Sequence, residues 1–295
     1  MKQLLFSVAG SLAKIPNSVI ARTFYSGNKT TDSVESKSNI LVFVPHADDE
    51  TIGLGGTICA HKEKGCTISV VNVTDGAGSA KAIEGLAEKR KEELRQVQNL
   101  FGIDSLDFLD LPDGQVSTSS AESVFAHYID LLKPTVIYTT SFIDAHVDHV
   151  GTAQLLARAL PLSSWKPDII REYEINCPVP PEEINTIFEV SDYQSVKEKA
   201  IDVFSSQAIA FEGFVDLSQY KAALVGKSTG YYETFVTHTP EDFMKKAAWV
   251  AANTDGQFGT LFKQLNRRAT ILWALTKNVD KKRALYKRSR EEQIQ

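Results

Sequence analysis

The stretch ILVFVPHADDETIGLGG, from Ile40 to Gly56, predicts a buried strand, a polar turn and a closely packed helix. Its first five residues form an apolar run of the length that is typical of a buried strand. An imidazole and two adjacent carboxylates follow at His46, Asp48 and Asp49. Polar groups at the end of a buried strand are costly unless they are hydrogen-bonded, ion-paired or bound to a metal. The stretch therefore predicts an α/β fold with a polar site beyond its first strand.

Short β-branched runs alternate with helical stretches from about Ser38 to Pro240. This alternation is typical of a parallel sheet covered by helices on both faces. One long helix is predicted from about Ala80 to Phe101, because its apolar residues recur at helical spacing. The predicted fold class is Rossmann-like, with three α/β/α layers, a mostly parallel sheet and a helical C-terminal extension. The predicted strands are Ile40–Val44, Thr67–Thr74, Leu106–Leu109, Thr135–Thr140 and Ile169–Ile175.

Three segments are predicted along the chain: an N-terminal arm and linker at 1–37, a main domain at 38–240, and a helical extension at 241–295. The arm places Lys2 before an apolar stretch, which predicts an amphipathic helix, with a short signal peptide as the alternative. The extension ends in a basic run from Lys277 to Arg290. A solvated helix face is predicted for this run, and peripheral contact with an anionic membrane surface is the alternative.

Composition limits the classes of partner. The 295 residues are 43% hydrophobic, which is enough for a large core, and acidic residues outnumber basic ones by 37 to 32. No nucleic acid partner is expected from this charge balance. The three cysteines form no CxxC pair, and no apolar run reaches the roughly 18 residues that span a bilayer. A cytoplasmic location is therefore predicted, and assembly as a homo-oligomer stays open.

A second cluster of the same residue types follows the fourth predicted strand, in the run from Asp144 to His149. Three of the six histidines of the chain fall into the two clusters. Ligands of open α/β sheets bind beyond the carboxyl ends of the strands, where both clusters are predicted to lie. Two histidines and one carboxylate match a catalytic zinc site, which leaves one position open for water. The remaining imidazole and carboxylates are then available as acid, base or orienting groups.

These clusters resemble the two signature motifs of the LmbE/PIG-L family of zinc-dependent N-acetylglucosaminyl deacetylases. That family carries a His-Pro-Asp-Asp-Glu run and a later His-x-Asp-His run, and Ala47 and Val147 stand here where proline is usual. The resemblance extends from about Asn39 to Phe235 and leaves both flanks without a counterpart. Further matching positions are Thr74-Asp75-Gly76, Arg90, Glu93, the run from Phe108 to Asp113, Ser206-Gln207 and Glu233-Thr234-Phe235.

The resemblance implies a role for each site residue. His46, Asp49 and His149 would hold one Zn2+ per chain. Asp48 would be the general base, while His146, oriented by Asp148, would stabilise or protonate the transition state. The implied substrate is a small N-acetylated amino sugar or glycoconjugate, which would release acetate and a free amine. Substrate contacts are implied for Arg90 and Asp113.

Several alternatives stay open from the residues alone. Asp48 could cap a helix, and Arg90 could form an i,i+3 surface pair with Glu93. The glycines of the Gly-x-Gly-Gly run lack dinucleotide-binding spacing and are expected to let a helix approach a strand closely. His61, His127 and His238 are expected to be ordinary helix or loop residues.

The ligand set also leaves the metal and the reaction open. Two imidazoles and a carboxylate suit iron(II) as well as zinc, and paired aspartates and histidines also build two-metal phosphoesterase sites. A satisfied polar cluster without metal and a sugar-binding relative without turnover are the non-enzymatic alternatives.

Overall fold

One mixed sheet forms the centre of the protein in the computed structural model, which describes residues 14–78, 85–206 and 210–291. Its seven strands run in the order β3-β2-β1-β4-β5-β7-β6. The pairs among β1 to β5 are parallel, whereas β7 is antiparallel to both β5 and β6. The strands are β1 Asn39–Val44, β2 Thr67–Thr74, β3 Ser105–Leu111, β4 Val136–Thr140, β5 Ile169–Tyr173, β6 Thr186–Glu189 and β7 Tyr232–His238.

Helices cover both faces of the sheet, so the Rossmann-like three-layer prediction is confirmed. Helices α2, α3 and α6 pack on one face, and α4, α5, α8 and α10 pack on the other. The first helix spans 14–24 within the described residues. The others are α2 Asp49–Glu63, α3 Leu86–Phe101, α4 Glu122–Leu132, α5 Val147–Ala159, α6 Gln194–Val203, α7 Glu212–Tyr220, α8 Pro240–Asn253, α9 Ile271–Thr276 and α10 Val279–Glu291.

All five predicted strands are present, and four of them differ from the prediction at one or both ends. The third is longer than predicted, and the fifth ends at Tyr173 instead of Ile175. The antiparallel strands β6 and β7 are absent from the prediction, because β6 has only four residues and β7 contains polar residues that distant partners bury. The predicted helix from Ala80 is described from Leu86 onward, and its first residues fall in the undescribed gap 79–84.

The glycines after the first cluster let α2 lie directly against the sheet, as expected. A Cβ on Gly53 would lie 2.4 Å from the ring of Tyr173, and one on Gly56 would lie 2.6 Å from Val190. Leu54 between them has non-helical backbone angles, so α2 is kinked. The kink and the close approach bring the start of α2, and the first cluster with it, to the carboxyl ends of β1 and β5.

The C-terminal extension packs on the face of the sheet that carries α5, with Phe243 and Tyr286 buried. Most of the basic run forms a solvated helix face, as predicted, and Lys282 is its buried exception. Lys282 is 2% exposed, and Arg290 forms an ion pair with Glu183 at 3.0 Å. Both side chains have partners because α10 lies over the loop between β5 and β6.

Residues from all three predicted segments, such as Ala21, Leu155 and Leu275, share one apolar core. The division at residues 37 and 240 stays a prediction, and residues 1–13 of the arm lie outside the described part. Across the described ranges, none of the helices combines the length and the apolar character that crossing a bilayer requires. The location of the protein in the cell stays a prediction.

Candidate functional site

Neighbouring parallel strands bring the two clusters together. The first cluster follows β1, and the second follows β4, which pairs with β1 in the register Ile40 to Val136. The chain leaves β1 toward β2 on one side and returns to β4 on the other, so the strand order reverses between them. This is the crevice in which open α/β sheets bind their ligands.

The carboxylate of Asp49 lies at a point between the rings of the other two predicted metal ligands, His46 and His149. Asp49 Oδ2 lies 3.3 Å from His46 Nδ1 and 3.3 Å from His149 Nε2. The ring of His146 also faces this point, and donor atoms of the three histidines lie within 4.8 Å of one another. The arrangement presents two imidazole nitrogens and a carboxylate oxygen, a donor set that fits zinc.

The other nitrogen of each proposed histidine ligand faces a carboxylate. His149 Nδ1 lies 3.3 Å from Asp144 Oδ1, and His46 Nε2 lies 3.3 Å from Asp148 Oδ2 and 3.4 Å from Asp113 Oδ1. A carboxylate at one ring nitrogen fixes the tautomer and leaves the opposite nitrogen to bind a metal. The structure therefore orients both rings for coordination.

The charge on His149 depends on whether a metal is bound. Burial lowers the pKa of His149, but Asp49 and Asp144 outweigh this effect and raise that pKa to about 10. The His149 imidazole consequently carries a proton at neutral pH when no metal is bound. Metal binding at this ring releases that proton, so affinity rises with pH.

Asp48 has a strained backbone and a buried, unpartnered oxygen. Its φ of 131° lies in the left-handed region, and it occupies the N-cap position of α2, but its side chain makes no capping hydrogen bond to the described part of the helix. Within the described residues, Asp48 Oδ2 is buried and has no hydrogen-bond partner. Burial and the neighbouring carboxylates of Asp49 and Glu50 hold the pKa of Asp48 well above its usual range. Strain of this kind persists where surrounding structure holds it and is common at active sites.

Asp148 has a different neighbour from the predicted one. Its carboxylate accepts hydrogen bonds from the backbone N–H groups of Gly114 at 2.6 Å and Val116 at 3.1 Å. These bonds hold Oδ2 3.3 Å from His46 Nε2 but 3.9 Å from His146 Nδ1. The backbone N–H of Asp148 is the group that contacts His146 Nδ1, at 3.3 Å. Orientation of His146 by the Asp148 carboxylate stays a prediction.

A cavity of about 270 Å³ opens over the site. Every predicted site residue except Asp148 lines it, including the substrate contacts implied for Arg90 and Asp113.

Arg90 and Glu93 are both buried, so the surface-pair alternative is wrong. Arg90 donates to the carbonyl of Gly76, whereas Glu93 accepts hydrogen bonds from Ser205 and Ser206. Gln207 of the matching Ser206-Gln207 pair lies outside the described residues.

Several lining or supporting residues have no predicted role. Asn176 follows β5, and its side chain donates to Asp144 Oδ1 at 2.9 Å, which holds the carboxylate that orients His149. The position of Asn176 beyond the carboxyl end of a predicted strand was a usable signal. Phe214, Gln264 and Asn266 also line the cavity, and no local pattern identifies them.

The three remaining histidines lie away from the site. His61 in α2 is buried against the hydroxyl of Tyr138 at 2.9 Å, and His127 lies in α4. His238 contacts Glu172 at 2.7 Å from strand β7, so the helix-or-loop prediction is wrong for this residue.

Asp144→Asn is expected to weaken zinc binding about tenfold, because removal of the charge behind a ligating histidine typically costs 10- to 100-fold in metal affinity. Competition with a chromophoric chelator measures the dissociation constant. Asp202→Asn, at an exposed position on α6, is the matched control and should bind zinc as the wild type does. Equal affinity in all three proteins would show that Asp144 does not support the metal centre.

Part of the chain is similar to a known protein family. Residues 41–160 match the family described as PIG-L, GlcNAc-PI de-N-acetylase. The chain is 25% identical over 239 residues to the probable N-acetyl-alpha-D-glucosaminyl L-malate deacetylase 2 of Bacillus anthracis, covering 74% of this chain and 96% of that protein.

Two solved structures show the same fold. The N,N'-diacetylchitobiose deacetylase of Pyrococcus horikoshii aligns with a TM-score of 0.61 and 20% identity, covering 70% of this chain and 85% of that one. The 4-carboxy-2-hydroxymuconate hydratase of Pseudomonas putida aligns with a TM-score of 0.53 and 18% identity, covering 68% of this chain and 95% of that one. Different reactions therefore occur on this fold, and the fold alone does not identify the reaction. The family match includes both clusters, so residues 41–160 of this chain are similar to the PIG-L family of de-N-acetylases at the positions that form the site.

Proposed function

We propose that this protein is a zinc-dependent deacetylase that hydrolyses the N-acetyl group of an N-acetylglucosamine-type amino sugar or conjugate. The products are acetate and a free amine. The observation that carries the proposal is the buried, unpartnered oxygen of Asp48 in the same cavity as His46, Asp49 and His149. A carboxylate in that position can accept a proton from an attacking water. The sugar is supported by the family description and by the name of the Bacillus anthracis relative.

The proposed ligands of the metal are His46, Asp49 and His149. When bound, zinc lowers the pKa of water toward about 7 and polarises the acetyl carbonyl. Asp48 accepts the proton of the attacking water, and its raised pKa brings it closer to the working pH of a general base. The chain thus supplies the base beside its own ligand set.

His146 is proposed to act on the developing oxyanion and the leaving amine. Burial, with the nearby His149 and His46, lowers the pKa of His146 to about 4, so its ring is neutral at pH 7. Nδ1 accepts a hydrogen bond from the backbone of Asp148, which leaves the ring proton on Nε2. Nε2 then donates a hydrogen bond to the oxyanion, as a preorganised donor does in amide hydrolysis.

A two-metal phosphoesterase is the second candidate, because a second donor group overlaps the first. Donor atoms of His46, Asp113, His146 and Asp148 also lie within 4.8 Å of one another. Elemental analysis of the purified protein distinguishes the two candidates. One zinc per chain supports the deacetylase, and two metal ions per chain with phosphatase turnover support the phosphoesterase.

Removal and return of the metal test the proposed function. Chelator treatment is expected to abolish acetate release from N-acetylglucosaminyl compounds, and one equivalent of zinc is expected to restore it. Acetate is measured by a coupled enzymatic assay across a panel of free, glycosidic and acid-linked N-acetylglucosamines. Fully zinc-loaded protein that releases no acetate from any member of the panel would rule the proposal out.

A further inference from the structure

The C-terminal extension forms one side of the cavity. Gln264 and Asn266 line it together with the proposed metal ligands, although they lie more than 100 residues beyond the second cluster. The family match ends at residue 160, so it assigns no role to these positions. Both residues lie in the stretch between α8 and α9.

Hydrogen bonds and close packing hold this segment in place. The backbone N–H of Leu265 donates to the carbonyl of Asn176 at 2.9 Å, and the Leu265 side chain is fully buried. Arg268 binds both carboxylate oxygens of Asp216 in α7. A Cβ on Gly213 would lie 2.9 Å from the carbonyl carbon of Asn266, so α7 approaches the segment as closely as glycine permits. The two amides are thereby positioned beside Asn176, next to the metal site.

Neither amide is used inside the protein. Across the described ranges, the side chains of Gln264 and Asn266 are half-buried and make no hydrogen bond to another residue. A carboxamide carries both a donor and an acceptor, which matches the two capacities of a sugar hydroxyl. A bound group with several hydroxyls would give both amides hydrogen-bond partners in this half-buried part of the cavity.

The same side of the cavity is apolar, and none of the described residues that line this side is a lysine or an arginine. Ile52, Ile175 and Phe214 form its apolar surface. Arg90 is the one lysine or arginine among the described lining residues, and it donates to the Gly76 carbonyl. Asp113 adds negative charge to the cavity lining. A carboxylate or phosphate of the substrate would therefore lose water here without gaining a cationic partner.

We infer that Gln264 and Asn266 determine specificity for an uncharged, hydroxyl-rich aglycone, such as a second neutral sugar. This inference rests on the proposed function and deepens it. The hydroxyls bind the two amides, and the apolar face of the sugar ring packs against Phe214. A dicarboxylate aglycone is disfavoured, which separates this protein from the Bacillus anthracis relative named for a malate conjugate.

Three substrates test the inference: free N-acetylglucosamine, an N-acetylglucosaminyl disaccharide with a neutral second sugar, and N-acetylglucosaminyl malate. The zinc-loaded enzyme is expected to use the disaccharide with a kcat/KM about tenfold above that for the malate conjugate. Gln264→Ala and Asn266→Ala are each expected to raise KM for the disaccharide about fivefold, the effect of one neutral hydrogen bond. Their kcat, and both constants for free N-acetylglucosamine, should stay near wild type.

Two further variants sharpen the test. Gln257→Ala changes an exposed amide of the same extension outside the cavity and should leave all constants unchanged. Gln264→Lys adds a cation and is expected to lower KM for the malate conjugate. Unchanged disaccharide KM in both alanine variants, or a wild-type preference for malate, overturns the inference.

Calorimetry separates this inference from the proposed function. Binding of the neutral disaccharide is measured on zinc-loaded wild type and on both alanine variants, whatever the turnover. Weaker binding by the alanine variants supports the subsite even if no acetate is released. Equal binding by all three proteins contradicts the subsite even if acetate release is confirmed.

Discussion

Asp48→Asn is expected to lower kcat for acetate release by at least about 100-fold, because a general base contributes about 10²- to 10⁴-fold to such reactions. Asparagine has the same shape as aspartate but cannot accept the proton of the attacking water. The side chain contacts none of the proposed ligands through a hydrogen bond, and its Oδ2 has no partner within the described residues. Zinc content should therefore stay near one ion per chain. Steady-state kinetics and elemental analysis of the same preparation measure both quantities.

The pH dependence of activity is an independent test of Asp48 as the base. A base works when it is deprotonated, so activity falls as the pH drops through its pKa. Since burial raises the pKa of Asp48, the acid limb should lie above the range of an ordinary aspartate near 4. Asp202→Asn, exposed on α6, serves as the control and should retain full turnover. Equal turnover of Asp48→Asn and the control would exclude Asp48 as the base.

Glu233→Ala is expected to lower the free energy of unfolding by about 3–5 kcal/mol, the usual result of removing one partner from a buried ion pair. Glu233 is 3% exposed and lies 2.6 Å from Lys197 Nζ. Its carboxylate also accepts from the backbone of Gly56 at 3.0 Å and from the backbone and hydroxyl of Thr57 at 2.7 and 2.6 Å. The variant leaves a buried ammonium without its carboxylate and frees backbone groups at the kink of α2. Urea unfolding followed by circular dichroism measures the change.

The double variant Glu233→Leu with Lys197→Met is the matched control for this pair. It removes both charges and replaces them with apolar groups, so it should recover much of the lost stability. If Glu233→Ala is as stable as the wild type, the pair does not hold α2 against β7. If the double variant is no more stable than Glu233→Ala, the loss comes from the hydrogen bonds to Gly56 and Thr57, which both variants lack, and not from the unpaired Lys197 ammonium.

The central part of the fold was predictable because its signals are local. Strands β1, β2 and β4 are short runs of mainly apolar and β-branched residues that are buried on both faces, and such runs stand out in the sequence. The strand β7 was not predictable in this way, since its Glu233 and Thr234 look like surface residues in the sequence. Glu233 is buried only because α6 and α2 supply Lys197 and two backbone N–H groups as partners.

The sequence by itself determined the two histidine and carboxylate clusters and their place at one edge of a parallel sheet. Ligand chemistry is carried by residue type, and strand ends follow from local apolar patterns, so neither needs distant contacts. Only the tertiary structure decided that Asp144 supports His149, that Asp148 faces His46, and that Gln264 of the extension reaches the cavity. The last two contacts join residues about 100 or more positions apart, and the nearer Asp144–His149 contact depends on the turn that folds between β4 and α5. No local pattern in the sequence predicts such contacts, because they depend on how strands, helices and loops pack around the same cavity.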